Sequence, residues 1–300
     1  MIYSKLNFFI GIIFFYLIII IFSLLLTNSS YISFIIKNSS NKNFLLLNYQ
    51  LNKIESSDFK TYKTILFGDS SLGNAINNEY FSELSGKKTI NLALTETYGY
   101  SSIYNLIKKS LKKNRNIEDI IIINSFFFEN NSDENTGYYI TSNTMTDFFE
   151  SKNKINFILK PFIFFPEYMK LIFNKKDNEN IFKNDYVIQN NVQNLEKNKK
   201  HDLKNLNDSN LYYLNKIISL CENNKLNLIL IKGPVYEIFY TENMENYSKL
   251  IRGYERFDFF INILNLLSFE ELGDYPMHVN YENKNKITLN YYNILKDYLL

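Results

Sequence analysis

The chain opens on a pattern that nothing later repeats. From Leu6 to Thr27 it reads LNFFIGIIFFYLIIIIFSLLLT, an apolar run without one charge. About 20 apolar residues are needed to cross the hydrocarbon core of a bilayer, so residues 1–30 are expected to form a single-pass N-terminal anchor. A secretory signal has a shorter run and a small-residue cleavage site. No alanine precedes Ala75, and an uncleaved anchor is the expectation. Lys5 lies before the run, and Lys37, Lys42 and Lys53 follow it. That count leans slightly against the positive-inside rule, but large domains translocate largely regardless of charge. The soluble domain is therefore expected on the extracytoplasmic side, in the cell envelope. The stretch SYISFIIKN (30–38) is expected on the membrane surface.

From about residue 60 the pattern changes to short apolar runs alternating with amphipathic ones. KTILFGD (63–69), KTINLAL (88–94), EDIIIINSFFF (118–128), KLNLILIKGP (225–234) and DFFINILNLL (258–267) read as strands. The unbroken apolar run of the third suits a strand buried on both faces. NEYFSELSG (78–86), SSIYNLIKKSLKKN (101–114), NLYYLNKIISLCENN (210–224) and KITLNYYNILKDYLL (286–300) have helical spacing. Strands alternating with helices predict an α/β domain over 60–300, a three-layer α/β/α architecture on a mainly parallel sheet. Residues 129–205 break the alternation with an Asn-rich stretch, the aromatic INFILKPFIFFPEYMKLIF and a lysine-rich segment. They are expected to form an inserted helical subdomain or lid.

Charge and composition narrow the functions. The formal net charge is +2, and only three arginines occur (Arg115, Arg252, Arg256). No basic stripe points to nucleic acid. Cys221 is the one cysteine, so no intrachain disulfide forms, and its apolar helical setting predicts a buried structural thiol. His201 and His278 are the two histidines. A zinc site built from several histidines is therefore not expected, and no Gly-rich phosphate loop suggests a cofactor.

The nine glycines of the chain include one in TILFGDSSLGNAI (64–76), where a strand runs into Gly-Asp-Ser-Ser. Gly68 permits a tight turn. Ser70 then stands either over a helix N-terminus, whose N–H groups can hold an oxyanion, or as part of a helix cap. Near the other end, GDYPMHVN places Asp274 and His278 before the last helix. A serine nucleophile at neutral pH needs a base, and an imidazole base needs a partner to fix its tautomer. Glu270, Glu271 or no acid at all are the alternatives to Asp274.

These stretches resemble the SGNH, or GDSL-like, hydrolase superfamily, over roughly residues 62–125 and 210–300. ILFGDSS is similar to its first block, with Ser70 as nucleophile and Ser71 as the neighbour to exclude. DYPMH is similar to its last block, with His278 as base and Asp274 orienting it. Three residues separate the two, where the family usually has two. The family's second block carries a glycine at the oxyanion; NLALTETYGY has Glu96 or Thr97 there, and Gly99 slightly late. In place of the third block, Gly-x-Asn-Asp, the chain has NSFFFEN, with Asn124 as the loose counterpart. The oxyanion donors expected from the resemblance are thus the Ser70 N–H and either Gly99 or Asn124.

The resemblance implies an SGNH/flavodoxin-like fold and a serine-dependent esterase or O-acyltransferase. Membrane-anchored relatives in bacterial surface-polymer acylation imply a cell-surface glycan or acyl donor as substrate. They also imply a membrane acyltransferase as a possible partner, with no cofactor or metal. The alternative is a non-catalytic component of a membrane-bound assembly complex for surface polymers.

Overall fold

The computed structural model describes residues 2–28, 30–39, 41–142, 145–173, 182–183, 186–187, 203 and 205–300. His201 and most of the lysine-rich segment lie outside them. Three helices come first: α1 (Ile2–Asn28), α2 (Ser30–Asn38) and α3 (Lys42–Glu55). In α1 the side chains are described over 7–21, and they are exposed nearly all round, as at Phe8 (67%). Among the described residues, no helix is long and apolar enough to cross a membrane. The stretch expected on a membrane surface instead sends Ile35 and Ile36 of α2 into the protein core. Phe44, Leu46, Leu47 and Ile54 of α3 join the same core, and Gln50 Nε2 donates to the Ala93 carbonyl at 2.7 Å.

The α/β part begins with β1 (Thr64–Gly68), followed by α4 (Ser70–Ala75), α5 (Asn78–Ser85), β2 (Thr89–Asn91), α6 (Gly99–Lys113) and β3 (Asp119–Asn124). Next come α7 (Phe128–Asn131), α8 (Glu134–Thr141), α9 (Met145–Glu150) and α10 (Lys154–Phe173). A two-stranded antiparallel pair, β4 (Phe182–Lys183) and β5 (Tyr186–Val187), precedes α11 (Asp208–Asn223) and β6 (Asn227–Lys232). The chain then passes through β7 (Val235–Tyr236), α12 (Glu237–Glu242), α13 (Met244–Tyr254), β8 (Phe260–Ile261), β9 (Leu266–Leu267) and α14 (Lys284–Leu295).

The central sheet has the order β2-β1-β3-β6-β8 and every pairing in it is parallel. Alternation within β3 shows why its sequence is unbroken. Ile120 and Ile122 enter one core cluster, Ile121 and Ile123 the other. A strand with period-two side chains and helices on both faces needs apolar residues at every position. One face is covered by α3, α6 and α11, the other by α4, α5 and α14, giving an α/β fold with a mainly parallel sheet and many helices.

The strand order reverses at β1: β2 lies on one side of it and β3 on the other. Parallel α/β sheets open a crevice at the carboxyl ends of such neighbours.

Two strand expectations are corrected. Residues 258–267 do not make one strand: β8 joins the central sheet, and β9 pairs with β7 in a separate two-stranded sheet. The chain bends between them, and the Asn265 carbonyl accepts Val235 N–H at 3.0 Å. The third strand stops at Asn124 rather than continuing to 128, because Ser125–Phe127 turn into α7.

Within the segment expected as a lid, α8 packs on α6 and buries Tyr138 and Tyr139 completely. Phe157 of α10 packs on both tyrosine rings, while Ile155 on the same helix is 70% exposed.

Candidate active site

Gly68 ends β1 where no side chain fits. A Cβ there would lie 1.7 Å from the Ile123 carbonyl oxygen of β3. This close approach brings the first residue after β1 beside the first residue after β3. Asp69, fully buried, caps α4: Oδ1 accepts the Ser71 N–H at 2.9 Å and the Ser71 hydroxyl at 2.6 Å. Its other oxygen accepts the Ser125 N–H at 3.0 Å and the Ser125 hydroxyl at 2.6 Å. One carboxylate with four donors thus ties the turn to the neighbouring strand. Asp69 is a cap and a brace, and the helix-cap reading falls to it alone.

Ser70 is the first residue of α4 and is partly exposed. Its hydroxyl lies 2.9 Å from His278 Nε2, and His278 Nδ1 lies 2.8 Å from Asp274 Oδ1. A carboxylate at Nδ1 can only accept, so the tautomer that satisfies both contacts has its proton on Nδ1 and a free lone pair on Nε2. Ser70 Oγ–H then donates to Nε2. The three residues that the sequence singled out meet in the order Ser70, His278, Asp274.

The histidine loop is held from below. Leu272 and Val279 form an antiparallel bridge, and Gly273 N–H donates to the His278 carbonyl at 2.6 Å. Met277 and Val279 are buried, and the Tyr275 ring lies 5.4 Å from the imidazole. The extra residue between Asp274 and His278 is absorbed in this turn, where His278 N–H donates to the Tyr275 carbonyl at 2.9 Å. Glu271 is engaged by Lys286 at 2.7 Å and by the Ser268 N–H, and Glu270 offers its carbonyl to Asn283. Asp274 therefore holds the imidazole, and neither glutamate does.

Ser71 is buried and donates to Asp69. The two further oxyanion candidates have partners of their own. Gly99 N–H donates to the Glu96 carbonyl, and Asn124, fully buried, donates its amide to the Tyr100 hydroxyl at 2.8 Å. The Ser70 N–H stands at the first position of α4, where a helix offers no acceptor four residues back.

Several residues of the site had no sequence signal of their own. Ser125 supplies two of the four bonds to Asp69. Glu96 is half-buried; burial, then the Asp69 charge, raise its carboxyl above the ordinary range, while Asn131 donates to it at 2.8 Å. Beneath the turn, Lys232 at the end of β6 is buried against Glu129 at 2.8 Å, its ammonium 4.5 Å from the Tyr254 ring centroid. Tyr254 donates to the same Glu129 oxygen and shares a 2.7 Å hydrogen bond with Tyr100. Burial lowers the Lys232 pKa, opposed by the Glu129 charge. The lysine closing an apolar strand, NLILIK, was the one available hint of this network. Cys221 is buried, its thiol pushed up to about 12 by that burial.

Compared with known proteins, the chain finds no match: no family description, no curated protein and no solved structure resembles it closely enough to align.

Proposed function

We propose that the protein is a serine esterase or O-acyltransferase of the SGNH/GDSL-like type, acting on acyl esters of a cell-surface glycan or polymer. The observation that carries this reading is the continuous chain Ser70 Oγ, His278 Nε2, His278 Nδ1, Asp274 Oδ1, with contacts of 2.9 and 2.8 Å. It lies at the crevice where the strand order reverses.

In the reaction, Ser70 Oγ bonds to the acyl carbonyl carbon as its proton passes to His278 Nε2. The tetrahedral oxyanion takes the Ser70 N–H, and Asp274 stabilises the imidazolium. Collapse breaks the ester bond, and the leaving alcohol takes the proton from Nε2. The acyl-serine is then attacked by water or by a sugar hydroxyl, with His278 again accepting a proton and returning it to Ser70. Water as acceptor makes the protein an esterase, and a sugar hydroxyl makes it a transferase.

The uncharged run of 6–27 and the exposed apolar side chains of α1 support an N-terminal membrane anchor with the domain in the cell envelope. A fluorophosphonate probe tests the chemistry. The wild type is expected to label and Ser70→Ala not to. Persistent labelling of Ser70→Ala overturns the assignment, and labelling that depends on Ser71 alone moves the nucleophile by one residue.

A second reading has an observation of its own: Gly99 N–H and the Asn124 amide are committed elsewhere. It makes the protein a non-catalytic component of a surface-polymer assembly complex. That reading fails when Ser70→Ala and His278→Ala, both folded, each abolish polymer modification.

A further inference from the structure

On the lysine-bearing face of α6, away from Ser70, the protein has a cavity of about 350 Å³ walled by α2, α3, α6 and α9. Lys37, Lys108, Lys109, Lys112 and Lys113 line it, against the carboxylates of Glu55 and Asp147. Lys108 and Lys113 are paired with carboxylates there, so the cations that matter are the ones left between them on α6.

The pairing inside the cavity is uneven. Lys108 is held by Asp147 at 2.9 Å and by Glu150 at 2.6 Å, and Lys113 pairs with Glu55. Lys109 and Lys112 make no hydrogen bond or ion pair with a described residue. Lys109 is partly buried, and that burial pushes its ammonium down to about 8. A partly desolvated ammonium without an acceptor is costly, and an anion in the cavity offsets that cost.

The spacing also selects among anions. Residues three apart on a helix stand about 5–6 Å apart at Cβ, so Lys109 and Lys112 can grip one multi-oxygen group together. A phosphate group presents its acceptor oxygens around a tetrahedral centre, so it can take a hydrogen bond from each of the two ammonium groups, whereas a planar carboxylate offers two oxygens in one plane.

We propose that this cavity binds a phosphate ester, with Lys109 and Lys112 as its principal cations. The site is independent of the serine chemistry. Its position suggests the source of the ester: α2 starts two residues after α1 ends, and α9 packs against α1. On the reading that α1 enters a bilayer, the cavity lies at headgroup level and the ester belongs to an anionic lipid.

The test is thermal unfolding of the full chain in neutral detergent. It is titrated with inorganic phosphate, glycerol phosphate, short-chain phosphatidylglycerol and short-chain phosphatidylcholine, with chloride at matched ionic strength. A saturable rise in Tm with a phosphate compound, its midpoint weakened roughly tenfold or more in Lys109→Met, is the expected result. Lys112→Gln, on the exposed rim, is the second variant should Lys109→Met not fold, and Lys249→Gln on α13 is the control expected to match wild type.

Saturation by phosphatidylglycerol but not by the water-soluble phosphates assigns the headgroup as source. Saturation by the soluble phosphates alone keeps the site and removes the lipid. No saturable effect beyond chloride, or equal midpoints in wild type and both variants, overturns the proposal. None of these readouts depends on whether Ser70 labels.

Discussion

Ser70 and Ser71 are neighbours with opposite environments: one hydroxyl reaches an imidazole, and the other is buried on a carboxylate. Ser71→Ala is expected to keep full probe labelling. Its loss leaves Asp69 one donor short in the interior, a destabilisation of about 1–3 kcal/mol, read by urea denaturation. Within the triad the losses should be graded. His278→Ala removes the base and is expected to lower kcat/KM on an activated ester by about 10²–10⁴-fold. Asp274→Asn should cost less, about 10–100-fold, because the Asp274 side chain is 45% exposed and water shares its work. Kinetics of both variants at one pH check the order. That Ser70, His278 and Asp274 meet was legible in the sequence, because a serine nucleophile would need a base and that base a partner. Ser125 was not, because its bond to Asp69 joins positions 56 apart that only the β1–β3 pairing brings together. The partners of the oxyanion candidates were hidden for a similar reason: nothing local shows that Gly99 N–H and the Asn124 amide already have acceptors.

At the scale of elements, the start of α6 shows how a distant carboxylate can serve as a helix cap. Glu134 accepts the Tyr100 N–H at 3.0 Å and the Ser101 N–H at 2.6 Å, and takes the Asn210 amide at 2.8 Å. Gly99 makes the approach possible: its φ is +63°, and a Cβ there would lie 2.5 Å from Glu134 Oε1. Burial pushes the Glu134 carboxyl up to about 7, against the pull of these donors. The folded state then binds this proton more tightly than the unfolded chain, whose ordinary value is 4.5. Its contribution to stability is full below about 4.5 and is lost as pH rises to about 7. The difference in urea stability between wild type and Glu134→Gln is expected to change across that window by on the order of 3 kcal/mol, and to be flat above it. The central strands were legible because burial on both faces forces unbroken apolar runs. β8 and β9 were not, because two-residue strands separated by Asn262–Asn265 carry no periodicity of their own.

For the whole molecule, the core owes little to the described side chains of α1 and much to the helices that follow it. Ile35, Ile36, Phe44, Leu46 and Leu47 are buried in the main cluster, whereas the described side chains of α1 face outward. A chain starting at Ser30 is therefore expected to keep its far-UV circular dichroism and to unfold cooperatively within a few degrees of the full-length protein. Loss of its tendency to associate with detergent or vesicles would accompany this, and sedimentation with liposomes would measure it. The alternation of strands and helices made the parallel sheet legible. The reversal of strand order at β1 was not, since sequence spacing does not say on which side of β1 the third strand docks.

The contact between Ser70 and His278 spans 208 positions. As the chain leaves the ribosome, Ser70 and its strand neighbours emerge long before the imidazole does. α14, which packs against α4 and α5 and gives Thr288 Oγ1 as acceptor to Asn77 N–H at 2.9 Å, comes later still. Contacts of such long range form late, after the loop between them has been closed. Through most of its synthesis the protein thus carries Ser70 without its imidazole, and the contact forms only when the segment around His278 seats. The acyl chemistry proposed for it would in this sense be timed by the order of the polypeptide.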